Sequence, residues 1–179
     1  MDQSTYDPCL LLSTEPFGIV GLQTDDTLFT ADDAFAKQEQ IQLQNAGFLA
    51  KEREVLSTNH SLKFNGGIIE LTTNGAITLT QERHCKNLNL VDNNNTKSSS
   101  SRRTVRENLS TKDQYVAQRA RGAYIASACQ PEASFDLSIA AQAVDPTEKD
   151  IKALNARIQW QIENPARGLR FVHLEKKSL

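Results

Sequence analysis

Two adjacent carboxylates, Asp25 and Asp26, interrupt an otherwise strand-like stretch, Leu22-Gln23-Thr24-Asp25-Asp26-Thr27-Leu28-Phe29. At the tip of a tight strand–turn–strand two such groups repel, and a bound Mg2+ relieves that repulsion. Mg2+ is typically held by one or two carboxylates together with substrate phosphates. Two-metal phosphoryl transfer uses such a cluster, with carboxylates from separate strands bridging both ions. The alternative is an acidic surface turn that holds nothing, since adjacent acids in exposed turns are common.

A second group has the opposite charge. Arg102, Arg103, Arg106, Lys112, Arg119 and Arg121 form the densest basic stretch, with Tyr115 and Tyr124 within or beside it. Contact with nucleic-acid phosphates is one reading of this stretch, and a solvated helix face beside a linker is the other. Other chemistries lack their residues. No glycine-rich phosphate loop of Walker or dinucleotide spacing occurs, and no Gly-x-Ser-x-Gly elbow. His60, His84 and His173 stand in unlike contexts without helical pairing. Cys9, Cys85 and Cys129 are odd in number and widely spaced, so reduced thiols that mostly pack are expected rather than a disulfide frame or a zinc site.

The 179 residues suit one domain or two small halves. With 39% hydrophobic and 23% charged residues, wholesale disorder is excluded. The net charge of −2 argues against a free-standing nucleic-acid binder, but the average hides an asymmetry. Residues 1–96 carry 6 Lys+Arg against 13 Asp+Glu, and residues 97–179 carry 14 against 9. An acidic half joined to a basic half is what a metal-plus-polyanion site could use, and a split between two solvated surfaces is the plainer account. No apolar run approaches the ~20 residues of a membrane span. Met1-Asp2-Gln3-Ser4-Thr5 lacks a basic region and does not read as a signal peptide. An intracellular protein, cytoplasmic or nuclear and without a membrane partner, is therefore expected.

The elements that must position these residues can be read along the chain. Leu10-Leu11-Leu12 and Ile19-Val20-Gly21-Leu22 flank turn residues 14–18 as a hairpin, and Thr27-Leu28-Phe29 resumes a strand after the acidic pair. Thr30 and Asp33 stand at capping-box separation, ahead of a helix whose predicted apolar stripe is Ala34, Ile41 and Phe48 with Phe35, Ala46 and Leu49 alongside, Leu43 off it, and Gly47 as a signal for an early end. Residues 62–80 return to strands, with Asn74-Gly75 as the strongest hairpin signal. A short helix is predicted for 81–91. Residues 92–101 are low in complexity, with three Asn and four Ser in runs, and read as a linker. Helices are predicted next at 113–130 and 133–143. A third has Ile151, Leu154, Ile158 and Ile162 on one side, with Trp160, Ala153 and Ala156 on the other, so packing on both faces is expected.

The order of these pieces resembles the C-terminal part of the reverse transcriptase of copia-type LTR retrotransposons. Gln3-Ser4-x-x-Asp7-Pro8-Cys9-Leu10 resembles the segment entering that family's active-site hairpin. Ile19 through Leu28 is similar to its strand ending in Tyr-Val-Asp-Asp, with Gln23 and Thr24 in place of Tyr and Val. Phe64-Asn65-Gly66, ahead of Ile68-Ile69-Glu70 and Ile77-Thr78-Leu79-Thr80-Gln81, is similar to the Phe-Leu-Gly hairpin that grips the primer. Gln130-Pro131-Glu132-Ala133-Ser134-Phe135-Asp136 resembles the Thr-Arg-Pro-Asp region. Asp145-Pro146-Thr147 through Trp160 to Phe171 resembles the helix before the RNase H domain.

The resemblance implies an α+β fold: a partial polymerase palm over 1–91, a flexible basic linker over 92–112, and a helical thumb or connection region over 113–179. It implies RNA-directed DNA polymerase ancestry, with Asp25 and Asp26 as catalytic Mg2+ ligands and Phe64, Asn65 and Gly66 as primer grip. Arg102, Arg103, Arg106, Arg119 and Arg121 would touch nucleic-acid backbone. The partners would be an RNA/DNA template–primer and the remainder of a polyprotein. The family's fingers, its third catalytic Asp and its RNase H carboxylates have no counterpart in these 179 residues, so the chain alone is expected to be inactive. A non-enzymatic nucleic-acid or protein binding remnant, or a pseudogene product without selected function, are the other readings.

Overall fold

In the computed structural model, which describes residues 1–24, 26–49, 51–92 and 109–173, the apolar runs near the N-terminus pair as antiparallel strands. They are β1 (Asp2–Gln3), β2 (Leu10–Ser13), β3 (Gly18–Gln23) and β4 (Asp26–Ala31), in the order β1-β2-β3-β4. Leu10 lies opposite Gly21 and Ser13 opposite Gly18, so the predicted first hairpin is present with its turn at residues 14–17. These strands belong to the first of two units, Met1–Asn65; the second is Gly66–Leu179.

Helix α1 (Asp33–Asn45) starts differently from expectation. Its cap is Asp32, not Thr30: one Asp32 carboxylate oxygen accepts from the Phe35 amide at 2.7 Å, and the other from the Phe17 amide at 3.0 Å. Thr30 is committed to β4, opposite Ile19. The buried face agrees with the apolar pattern at Phe35 and differs from it elsewhere. Phe35 is buried, Leu43 is half-buried, and Ile41 and Phe48 are exposed. Seven-residue steps drift about 20° per step around a real helix, and Gly47, with φ 73°, lies beyond the helix before Phe48 is reached. The face that packs runs Phe35, Glu39, Leu43 at steps of four. Gly18 is required beneath it, because a Cβ there would stand 2.5 Å from the Phe35 ring. Arg53 finishes this face by pairing with Glu39, donating to the Ala36 carbonyl at 2.7 Å and lying 5.2 Å from the Phe29 ring centroid.

After β5 (Leu62–Phe64) the chain turns through Asn65 and Gly66, both left-handed at φ 48° and 74°. Consecutive left-handed residues are the signature of a tight hairpin turn, which favours Asn-Gly. β6 (Gly67–Leu71) and β7 (Ile77–Thr80) then pair, with Leu71 opposite Ile77. The Asn74-Gly75 turn between them is longer than two residues; the Thr72 amide donates to the Ala76 carbonyl at 2.8 Å and Gly75 takes φ 80°. A strand that the pattern did not announce, β8 (Leu169–Phe171), adds to β7 with Ile77 opposite Phe171. Gly168 permits this approach, since a Cβ there would stand 2.1 Å from the Leu79 carbonyl oxygen.

The helices of the second unit are α2 (Glu82–Lys86), α3 (Thr111–Ala128), α4 (Ser134–Ala140) and α5 (Glu148–Glu163). Each long one has a polar start. Ser110 accepts from the Asp113 amide at 3.1 Å, and Thr147 and Asp150 form a reciprocal capping box. Bonding to the Thr147 side chain and backbone holds the Asp150 carboxyl below its ordinary value. One core contains Cys85, Leu88, Val91, Tyr115, Ile125, Leu137, Ile151, Leu154 and Ile158 among its members, with Ile162 against it. β6, β7 and α2, expected with the N-terminal part, therefore lie in the unit that holds the later helices. The predicted stripe of α5 faces this core. Its other side does not pack: Ala153 and Ala156 are exposed, and Trp160 is half-buried beside an open groove with Phe135 and Ile139. Antiparallel sheets with segregated helices make the fold α+β.

Two glutamines lie fully inside. Gln130 donates to the Asn164 and Arg167 carbonyls at 3.0 and 3.2 Å, fixing the chain after α5 as it heads for β8. Gln161 donates to the Gly122 carbonyl at 3.2 Å and to Gln130 Oε1 at 3.3 Å.

Candidate functional site

The acidic hairpin is formed by β3 and β4. Their register runs from Gly18 opposite Ala31 to Gln23 opposite Asp26, which leaves a two-residue tip. Thr24 takes φ 50°, as the first residue of such a tip must when the strands twist normally. Asp26 is exposed on the first residue of β4. Asp25 lies outside the described residues. Among the described residues no group of three His, Cys, Asp or Glu is arranged to hold a metal ion. What the hairpin offers a hard cation is thus the Asp26 carboxylate at an exposed tip, which suits Mg2+ only with Asp25 and substrate phosphates completing the shell.

The residues expected to grip a primer occupy the second turn. Phe64 is half-buried at the end of β5, and Asn65 and Gly66 form the left-handed pair. A side chain at 66 would collide with His84, because a Cβ would stand 2.4 Å from its Nε2. Gly66 is needed here for its conformation and for the space above it.

Arg102, Arg103 and Arg106 lie outside the described residues. Arg119 and Arg121, both on α3, do not act together. Arg119 is half-buried and donates to the Ala141 carbonyl at 3.2 Å. Arg121 is exposed and opens onto another surface, a cleft of about 480 Å³ lined by His84, Asn87, Ala120, Arg121, Tyr124 and Ile125. No motif or spacing in the sequence announces this cleft. His84 and Tyr124 meet edge to face there with ring centroids 5.5 Å apart. Its floor is fixed because Ile125 on α3 and Cys85 on α2 sit in one buried core. Burial, and then the neighbouring Cys129, push the Cys85 thiol from 9.0 up to about 11, so it is an inert packing group and not a nucleophile.

No helix among the described residues is long and apolar enough to cross a membrane. Comparison of the chain with models of known protein families, with curated proteins and with solved structures finds no match.

Proposed function

We propose that the chain is the C-terminal part of the polymerase of a copia-type retrotransposon, and that its contribution is to hold an RNA/DNA template–primer. The observation that carries this reading is the β3–β4 hairpin. Its register, with Gln23 opposite Asp26, closes a two-residue turn beside Asp26, which supports the likeness to the family's Asp-Asp hairpin. The order of the later elements supports the same reading: a helix, a left-handed Asn65-Gly66 turn leading into paired strands, then, among the described residues, four α-helices and a short strand. In this reading the first strands belong to a palm, the helices to a thumb or connection region, and Phe64, Asn65 and Gly66 touch the primer.

Asp25 and Asp26 would hold Mg2+, which when bound neutralises triphosphate charge. Transfer of a nucleotide requires a further carboxylate from a separate strand. The proposal for this chain is confined to binding, which does not depend on the acidic pair. Phosphate contacts dominate such binding, and log affinity falls linearly with log salt.

Fluorescence anisotropy with a labelled RNA/DNA hybrid duplex between about 50 and 200 mM salt tests this directly. Saturable binding that weakens steeply with salt and prefers the hybrid to single strands is expected. Failure to bind any duplex at the lowest salt would sink the proposal. Asp25→Asn/Asp26→Asn separates the two roles: it should leave duplex affinity within twofold while abolishing any Mg2+-dependent change in that affinity.

A further inference from the structure

The cleft between α2 and α3 has the composition of an anion site. Arg121 is exposed on its wall, and among the described residues it makes no hydrogen bond or ion pair. Asn87, the residue that ends α2, lines the same space. No carboxylate lines the space, and α2 carries Arg83, His84 and Lys86 against Glu82, which is already paired with Lys86 at 2.9 Å. The His84 ring is held in place from two sides, by the close approach of Gly66 and by the Tyr124 edge contact. An unpaired guanidinium, an amide and a fixed imidazole converging on open space is what a tetrahedral oxyanion requires, and the planar guanidinium can bind two of its oxygens at once.

The geometry points to a phosphate-binding site at His84, Asn87 and Arg121, whose ligand is a backbone phosphodiester of a nucleic-acid strand. This deepens the proposed function and rests on it for the source of the phosphate. The rings of Tyr124 and His84 beside the anion position favour a nucleotide strand over a bare ion, because both present aromatic surface to a sugar or base.

Two arms test it on the full chain. In the first, inorganic phosphate is titrated at constant ionic strength while the His84 ring resonances are followed by NMR. A saturable shift, lost in Arg121→Ala and absent with matched chloride, is expected; no saturable shift overturns the site. In the second, Arg121→Ala is compared with wild type on the hybrid duplex. Affinity should fall about tenfold, with the salt slope reduced by about one. Lys149→Ala removes the same charge from α5, outside the cleft lining, and should change affinity less than threefold. Circular dichroism melts of both variants should match wild type, since both side chains are exposed. If wild type binds duplex and Arg121→Ala changes nothing, the site is wrong and the proposed function survives. If wild type binds no duplex but phosphate still moves His84 through Arg121, the proposed function falls. The nucleic-acid source falls with it, leaving a small-anion site.

Discussion

Gly122→Ala probes how closely α3 is seated on its neighbours. In an exposed helix this change stabilises by about 1 kcal/mol, because alanine has less backbone freedom to lose. At position 122 the new Cβ would stand 2.8 Å from Gln161 Oε1, 2.9 Å from Ile158 Cδ1 and 3.1 Å from Leu137 Cδ2. The three atoms come from two other helices, and all three residues are buried, so one rotamer change cannot clear the space. Forcing a methyl into such a site costs about 1–3 kcal/mol. Gln161 could swing away, but it would then lose its bonds to the Gly122 carbonyl and to Gln130, and stranding a buried amide costs about 1–3 kcal/mol as well. Its Oε1 has no partner among the described residues to begin with. The chain takes whichever route is cheaper, so after subtracting the propensity gain the net effect is about 1 kcal/mol of destabilisation. Urea unfolding should show a lower midpoint with an unchanged slope. Ala123→Gly, at an exposed position of the same helix, calibrates the propensity effect alone and should also cost about 1 kcal/mol. Stabilisation of Gly122→Ala by 0.5 kcal/mol or more (about half the helix-propensity gain) would refute the close packing of α3 against α5.

Three further outcomes are expected from the same structure. Asp32→Ala removes the partners of the Phe35 and Phe17 amides together and should cost about 1–2 kcal/mol; hydrogen exchange of the α1 amides should speed up accordingly, and unchanged protection would refute the cap. Alkylation of the native chain at pH 8 should add one group, at exposed Cys9, whereas Cys85 and Cys129 react only in denaturant; mass spectrometry showing native adducts at either would contradict their burial. Stability should also fall at alkaline pH. The unfolded Cys85 thiol loses its proton near 9.0 and the folded one near about 11, so between those values the native state holds a proton that the unfolded state has released. Each such thiol then lowers stability by about 1.4 kcal/mol per pH unit as pH rises, and Cys85→Ala should flatten that slope in urea titrations across the window.

How much of this was legible in the sequence depends on the distance over which each signal acts. The hairpins were legible because short apolar runs and turn residues act between neighbours, and α5 because its 3-4-4 stripe is local. The stripe of α1 was read rightly at Phe35, which Gly18 of another strand selects, and wrongly at Leu43, Ile41 and Phe48, because seven-residue steps drift around the helix. β8 was missed for a related reason: three residues carry no period, and its partner β7 lies about ninety residues earlier in the chain.

The candidate site divides along the same line. Asp25 and Asp26 could be singled out because they are adjacent in sequence between two strand-like runs. The α2–α3 cleft could not, since His84 and Tyr124 meet only through the burial of Cys85 and Ile125 beneath them. The basic stretch shows how proximity in sequence misleads on a helix. Arg119 and Arg121 look like one patch, but two residues along an α-helix turn through about 200°. One guanidinium is therefore spent on the Ala141 carbonyl at the end of α4, and the other, without a partner among the described residues, lines a cleft on another side. A phosphate contact predicted from charge density assigns the two equal weight. The proposed site uses Arg121 alone, and Arg119→Ala should accordingly loosen the α3–α4 seat while leaving the salt slope of duplex binding unchanged.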